Sequence, residues 1–324
     1  MTDLIILVAS WPSEWSASLR VMVDESTTRQ EPPFGRVLTA MVTPFHEDGS
    51  LDLTGAATLA THLVDAGCDG LVVSGTTGES PTTSDGEKEQ LIRAVVEAIG
   101  GRAHVVAGVG TYDTHHTIDL ARQAEKAGAS GLLVVTPYYS RPTQEGLVQH
   151  FTAAADATGL PVMLYDIPPR SIVPIQTDTL LRLAEHEHIV AVKDAKGDPF
   201  ATSEVIARTD LVFYCGDDAL NLPMLSVGSV GIVSVVSHAA ATQYAEMIRA
   251  VESGELGTAL RIHRQLIPAV RGIMMSGEPG ATMAKAAVQL AGVIGSRTMR
   301  LPLLTATDEQ VDGLRAALAE AGLR

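Results

Sequence analysis

The sequence is poor in cysteine, in aromatic residues and in lysine. Of its 324 residues, 2 are cysteines and 4% are aromatic. Cys68 and Cys215 are too few for a disulfide framework or a cysteine-based metal cluster, so we expect a cytoplasmic location and no metal. Because aromatic rings are scarce, aliphatic side chains must fill the core, which is typical of α/β proteins with parallel sheets.

Positive charge and long apolar runs are lacking as well. There are 38 acidic and 23 basic residues, which gives a formal net charge of −15 and disfavours nucleic acid or an anionic membrane as a partner. No stretch approaches the length of a membrane span. The apolar run at residues 4–8 is shorter than the core of a signal peptide and follows an acidic residue. We therefore expect neither a nucleic-acid nor a membrane partner.

The first 33 residues differ from the rest of the chain. Residues 1–33 show no lasting hydrophobic period and include a polar run at 24–31. This pattern predicts a mobile extension outside the fold. A start assigned too far upstream, with Met22 as the true first residue, explains the segment equally well.

Strand and helix patterns alternate from residue 34 to residue 254. Eight short apolar segments, each followed by a helical pattern, predict a (β/α)8 TIM barrel in the α/β class. Beyond that point only helical patterns remain, so residues 255–324 are predicted to form a small all-helical C-terminal domain. A doubly wound open sheet is the alternative architecture, but no glycine-rich dinucleotide motif follows any of the strands.

One of the few lysines lies at the end of an apolar run. Residues 189–192 are uninterrupted small or β-branched residues, which predicts a strand buried on both faces, and Lys193 follows them. Burial disfavours the ammonium form, and a neutral amine attacks carbonyl groups. Lys88 and Lys126 lie in Glu-rich helical stretches, where we expect exposure to solvent. A lysine at a strand end is by itself more often a structural ion-pair partner. The residues at the other strand ends are therefore needed to decide between a structural and a catalytic role for Lys193.

Polar side chains follow several other predicted strands. In a barrel of this type, the residues after the carboxyl ends of the strands meet at one face. Each segment alone is compatible with an ordinary turn or a core cap, but together they suit imine chemistry: an amine for a keto group, phenols for proton transfer, and amides and an arginine for carboxylates. The segments are Ser74-Gly75-Thr76-Thr77-Gly78-Glu79, Thr136-Pro137-Tyr138-Tyr139, Tyr165-Asp166-Ile167-Pro168-Pro169-Arg170 and Gly216-Asp217-Asp218.

These segments, together with Val192-Lys193-Asp194, resemble in order and spacing the dihydrodipicolinate synthase family. That family belongs to the superfamily of pyruvate-dependent lyases that includes N-acetylneuraminate lyase. The similarity runs from about Phe34 to the C-terminus. Thr77 and Arg170 are the positions that favour a synthase over a sugar-acid lyase.

The resemblance implies a Schiff-base lyase that condenses pyruvate with L-aspartate 4-semialdehyde in the diaminopimelate route to lysine. Lys193 would form the imine with pyruvate, and Tyr165 would transfer protons. Thr77 would link Tyr165 to Tyr139, which would reach in from a neighbouring subunit across a tight dimer interface. No cofactor is implied, and the implied assembly is a homotetramer built from two tight dimers.

The resemblance also implies how the substrates are held. Thr76 and Thr77 would hold the pyruvate carboxylate, Arg170 would receive the carboxylate of the aldehyde, and the carbonyl group of Val233 would line the pocket of the amine. Two alternatives stay open at this point. One is another pyruvate-dependent aldolase of the superfamily, acting on a keto-sugar acid or a neuraminate, and the other is a barrel without catalytic activity that has a binding role.

Regulation by lysine is expected to differ from that of many family members. The resemblance implies that lysine-inhibited members bind lysine at the tight-dimer interface through histidine, asparagine and glutamate side chains. Here the matching positions are Asp85, Lys88, Tyr112 and His116. Loss of the glutamate removes the charge that would pair with the ligand's ammonium group, and a lysine side chain adds repulsion. We therefore expect weak or absent inhibition by lysine.

Overall fold

The computed structural model of the chain describes residues 31–323, so nearly all of the expected N-terminal extension lies outside the described residues. Within them, eight parallel strands form a closed barrel in which each strand pairs with the next and β8 pairs with β1. This closure confirms the predicted barrel and excludes the open-sheet alternative. The strands are β1 (Val37–Ala40), β2 (Gly70–Val73), β3 (His104–Gly108), β4 (Gly131–Val135), β5 (Val162–Asp166), β6 (Ile189–Asp194), β7 (Val212–Cys215) and β8 (Gly231–Ser234).

Helices surround the barrel and continue beyond it. The barrel helices are α1 (Leu53–Asp65), α2 (Asp85–Ile99), α3 (Thr114–Lys126), α4 (Gln144–Ala155), α5 (Pro168–Ser171), α6 (Thr177–Leu183), α7 (Pro199–Ile206), α8 (Asn221–Ser226) and α9 (Ser237–Glu252). The helical C-terminal segment that the sequence predicts is confirmed, with α10 (Leu256–Met274), α11 (Gly280–Leu290) and α12 (Asp308–Glu320). None of the helices within residues 31–323 is long and apolar enough to cross a membrane.

The strands are largely apolar because both of their faces are buried. Alternate residues such as Leu38, Met163 and Ala191 point into the barrel and form one buried cluster, while their neighbours pack against the surrounding helices in a second one. Burial on both faces removes the polar alternation of a half-exposed strand. Since Ala191 belongs to the interior set, Lys193, two residues further along β6, lies on the same side.

For helix α2, the sequence predicts the N-terminal cap correctly and the exposure of Lys88 wrongly. Ser84 and Glu87 form the capping box that the sequence predicts, with the Ser84 hydroxyl accepting from the Glu87 amide. Lys88, predicted to be exposed to solvent, is only 7% exposed and donates to the Thr83 carbonyl. The reason is helical spacing, because Lys88 shares the buried face of α2 with Leu91 and other apolar residues.

Candidate active site

Lys193 lies at the penultimate position of β6, near the carboxyl end of the barrel. Its side chain is 5% exposed. Gly216, the residue directly after β7, provides room for it: a Cβ atom there would lie 2.9 Å from Cγ and 3.0 Å from Cε of Lys193. The Lys193 side chain can therefore take this position because residue 216 has no side chain.

The environment of Lys193 favours a neutral amine. Burial lowers the pKa of Lys193 to about 8, the Asp218 carboxylate partly opposes this, and the positive charge of Arg170 adds to it. At pH 7, roughly one tenth of such amines are neutral, which is a few hundred-fold more than for an unperturbed lysine with a pKa of about 10.4. The nucleophilic form is therefore available near neutral pH.

The ring of Tyr165 packs against this amine. It lies opposite Lys193 in the β5–β6 pairing, and the amine nitrogen is 4.0 Å from the centre of its ring. Tyr165 is 5% exposed, and burial raises its pKa well above the usual value for tyrosine. The phenol therefore keeps its proton near neutral pH and is able to act as a proton donor.

Asp218 is a functional candidate that the sequence did not single out, beyond an acidic strand end. Its carboxylate is 3% exposed and accepts hydrogen bonds from the Ser234 hydroxyl and from the amides of Val235 and Val236, at 2.9 and 3.1 Å. Its charge raises the pKa of Lys193 against the effect of burial. The Gly216-Asp217-Asp218 run was visible in the sequence, but nothing in it indicated which aspartate turns inwards.

The two threonines of the second strand end differ in their surroundings. Thr76 is exposed at the barrel mouth, whereas Thr77 is 9% exposed. A small cavity of about 60 Å³ is lined by Thr76 together with Tyr138 and Tyr165, and Thr77 is not among its lining residues. Thr76 therefore shares a cavity with Tyr165, whereas Thr77 borders only the second cavity described below. The sequence could not separate these two neighbours, because a loop has no period from which side-chain direction can be read.

Arg170, Thr76 and Thr77 line a second, larger cavity of about 250 Å³ at the barrel mouth, which we call the mouth cavity. Its remaining wall comes largely from the C-terminal segment. These residues are Met274, Pro279, Gly280, Ala281, Pro302 and Leu303, with Glu79, Pro81, Thr82 and Val235 from the barrel. Sequence reasoning confined the site to strand ends and missed the contribution of the C-terminal segment, because no motif marks it.

The last two predicted site residues differ in exposure. Val233 is 1% exposed on β8, within the interior cluster. Tyr139 is 88% exposed, has a φ of +71°, and lines neither cavity. A tyrosine this exposed contributes nothing visible to the site of its own subunit.

Of the four positions that are expected to decide lysine sensitivity, Asp85, Lys88 and His116 lie near each other. The His116 imidazole is 3.0 Å from the Asp85 carboxylate, and Lys88 is buried against the carbonyl of Thr83. Tyr112 is 62% exposed and its ring packs edge-on against Tyr138 at 5.4 Å. Since Asp85 already has a cationic or hydrogen-bonding partner, weak inhibition by lysine stays our prediction.

The fold and this site together define a class of protein: a (β/α)8 barrel with a buried strand-end amine beside a buried phenol, as imine-forming lyases require. The chain belongs to the dihydrodipicolinate synthetase family, whose model matches residues 33–321. It is 64% identical over 291 residues to the 4-hydroxy-tetrahydrodipicolinate synthase of Kineococcus radiotolerans, covering 90% of this chain and 94% of that one.

Solved structures agree with this assignment. Dihydrodipicolinate synthase from Bacillus anthracis superimposes with a TM-score of 0.85 at 44% identity, covering 88% of this chain and 98% of that one. The enzyme of Cyanidioschyzon merolae, solved with lysine bound, gives a TM-score of 0.86 at 39% identity, covering 90% and 99% of the two chains. The family resemblance that the motifs indicate is thus confirmed along almost the whole described chain.

Proposed function

We propose that this protein is a 4-hydroxy-tetrahydrodipicolinate synthase, which condenses pyruvate with L-aspartate 4-semialdehyde in the diaminopimelate route to lysine. The observation that carries this is the buried Lys193 amine, with its pKa lowered to about 8, at 4.0 Å from the Tyr165 ring. High identity to synthases of that name supports the choice of substrates. A cytoplasmic location is also proposed, supported by two buried free cysteines.

The reaction follows from the chemistry of these side chains. The neutral Lys193 amine adds to the keto carbon of pyruvate, and loss of water leaves an imine. Loss of a proton from the methyl group gives an enamine, whose carbon attacks the aldehyde of the second substrate. The amino group of that substrate then displaces Lys193 and closes the ring. Tyr165 supplies and removes the protons that these steps require.

The hydroxyls and amides of the Thr76-Thr77 loop are proposed to hold the pyruvate carboxylate, and the Val233 carbonyl to line the amine pocket. A relay of hydroxyls from Tyr165 through this loop to Tyr139 of a second subunit is part of the proposal. The sequence assigned the middle position to Thr77. The small cavity that Thr76 shares with Tyr165 supports Thr76 as the hydroxyl next to the phenol.

Replacing Arg170 with alanine is expected to separate the two substrates. Arg170 lines the mouth cavity, where it is placed to pair with the carboxylate of the incoming aldehyde. We expect Arg170→Ala to lower kcat/KM for aspartate semialdehyde about 30-fold or more, since a lost charged contact typically costs about 2–5 kcal/mol. Borohydride-trapped adduct formation with pyruvate should change far less.

The matched control for this variant is Arg182→Ala, which removes an exposed arginine paired with Glu145 on the outer helices. It should leave both steps unchanged. An equal loss of adduct formation and turnover in Arg170→Ala would indicate a structural role. An aldolase with a neutral acceptor would show no selective effect on the second substrate.

Tyr139 is expected to act in the site of a partner subunit, because it is 88% exposed and lines neither the small cavity nor the mouth cavity. A shared site of this kind requires at least a dimer, and the family resemblance extends the proposal to a homotetramer of two tight dimers. Mixing Lys193→Ala and Tyr139→Phe subunits then tests the shared site directly. When the two variants mix at random in two-fold dimers, about half of the dimers contain one subunit of each variant. One of the two sites in such a dimer has both intact side chains, so about one quarter of all sites are restored and activity should exceed that of either parent variant.

Turnover should also be measured alongside sedimentation as the protein is diluted, and it should fall as dimers dissociate. A mixture no more active than the sum of its parent variants would place Tyr139 in its own subunit's chemistry or outside the mechanism. A fully active monomer would do the same.

A further inference from the structure

A buried ion pair joins the C-terminal segment to the loop that carries Thr76 and Thr77. The Lys285 ammonium on α11 contacts the carboxylate of Glu79, and both side chains are 0% exposed. Lys285 also donates to the Thr298 carbonyl at 2.9 Å, and its nitrogen lies 4.4 Å from the centre of the Phe45 ring. Glu79 follows Thr77 by two residues, so the pair acts on the segment that the proposed function assigns to pyruvate.

The same loop has a second attachment to the C-terminal segment. The other carboxylate oxygen of Glu79 accepts from the Arg300 amide at 2.9 Å. The Arg300 guanidinium donates to the Thr82 carbonyl at 2.8 Å and pairs with Glu87 at the start of α2. Residues 76–83, which we call the carboxylate loop, are thus held at their middle and near their end by residues some 200 positions away in sequence.

The conformation of the carboxylate loop needs such contacts. Glu79 has a φ of +56°, in the left-handed region that costs a non-glycine residue about 1–2 kcal/mol. Strained residues of this kind persist when surrounding contacts fix them, and they cluster at functional sites. Two separate hydrogen bonds to the Glu79 carboxylate provide this constraint.

General stability is a weak explanation for the pair. Removing two charges from water costs about as much as their attraction returns, so a well-packed apolar pair is often equally or more stabilising. What an ion pair adds is a defined position for both partners. That position lies two residues from a hydroxyl that lines the mouth cavity.

We propose that Lys285 and Glu79 are positioning residues, which hold the carboxylate loop so that Thr76 and Thr77 present their hydroxyls and amides to the pyruvate carboxylate. This inference rests on the proposed function. It assigns to the C-terminal segment a role in binding the first substrate.

The test compares Lys285→Met with the parent enzyme. Methionine has a similar length and packs well against an aromatic ring, but it leaves the Glu79 carboxylate without its partner. We expect the half-saturating pyruvate concentration for borohydride-trapped adduct formation to rise about tenfold or more. At saturating pyruvate the adduct should still form fully on Lys193. A merely structural role would lower the unfolding temperature without changing this concentration dependence in the folded protein.

Two further variants keep the test decisive. Glu79→Gln preserves the shape of the side chain and is the variant to measure if Lys285→Met fails to fold. The double variant Glu79→Gln/Lys285→Met removes both charges. All should weaken the response to pyruvate. Arg208→Met, which breaks an exposed pair with Glu204, is the control and should change nothing.

The outcomes separate the two proposals. A parent enzyme that forms no adduct with pyruvate would contradict the proposed function. If the parent enzyme forms the adduct, the variants test the positioning role alone. That role would be overturned if the Lys285 and Glu79 variants fold and their half-saturating pyruvate concentration stays within about twofold of the parent value.

Discussion

Replacing Lys193 with alanine is expected to abolish both turnover and the covalent capture of pyruvate. In the parent enzyme, pyruvate followed by borohydride should add one reduced pyruvate to the protein mass, located in the peptide that contains Lys193. Lys193→Ala should show no added mass, because a methyl side chain has no nucleophile to form the imine. Mass spectrometry of the intact and the digested protein measures both results.

The matched control is Lys196→Ala. Lys196 lies three residues further along, where it contacts the Asp166 carboxylate at 3.5 Å. This variant should keep the adduct, and an adduct on Lys196 in the parent would show the assignment to be wrong. The pH dependence gives a second check. Because burial lowers the pKa of Lys193 to about 8, adduct formation should accelerate as pH rises from about 6.5 and level off above that pKa.

Tyr165→Phe is expected to lower kcat by about 100-fold or more, the usual scale for losing a positioned proton-transfer group. The ring, which packs over the Lys193 amine at 4.0 Å, is retained in this variant, so the loss isolates the hydroxyl. A coupled assay with both substrates measures kcat, and borohydride trapping measures the remaining capacity to form the imine.

Tyr214→Phe is the matched control, because Tyr214 is also buried on a barrel strand, but its hydroxyl accepts from the Phe34 amide at 3.2 Å. This control should lose some stability and little turnover. A near-normal rate in Tyr165→Phe would remove Tyr165 from the mechanism.

The barrel and its lysine were predictable because both depend on local patterns. A strand buried on both faces must be apolar throughout, so the run before Lys193 is readable without knowing its partners. The same holds for the Ser84 and Glu87 capping box, whose two contacts span only three residues.

The features that the sequence did not predict depend on the direction of a side chain or on contacts between residues that are far apart in the sequence. Lys88 was expected in solvent because the surrounding sequence is charged, but its position in the helical period places it on the buried face of α2. The Asp218 carboxylate is held by hydrogen bonds from Ser234, the last residue of β8, and from the two amides that follow it, and the Lys285 partner of Glu79 lies 206 residues away. No short-range pattern contains this information.

The mouth cavity has a consequence for how new activities arise on this scaffold. Lys193 and Tyr165 stand on barrel strands, whereas much of the cavity wall that faces an incoming acceptor comes from Met274, Ala281 and Leu303 of the C-terminal segment. Lys193 and Tyr165 and much of this cavity wall are therefore encoded in separate stretches of the gene, whereas Arg170, the proposed contact for the acceptor carboxylate, belongs to the barrel. Exchange of the C-terminal stretch offers a route to altered aldehyde preference that leaves the strands of the imine-forming barrel untouched, provided that the Glu79–Lys285 contact is kept.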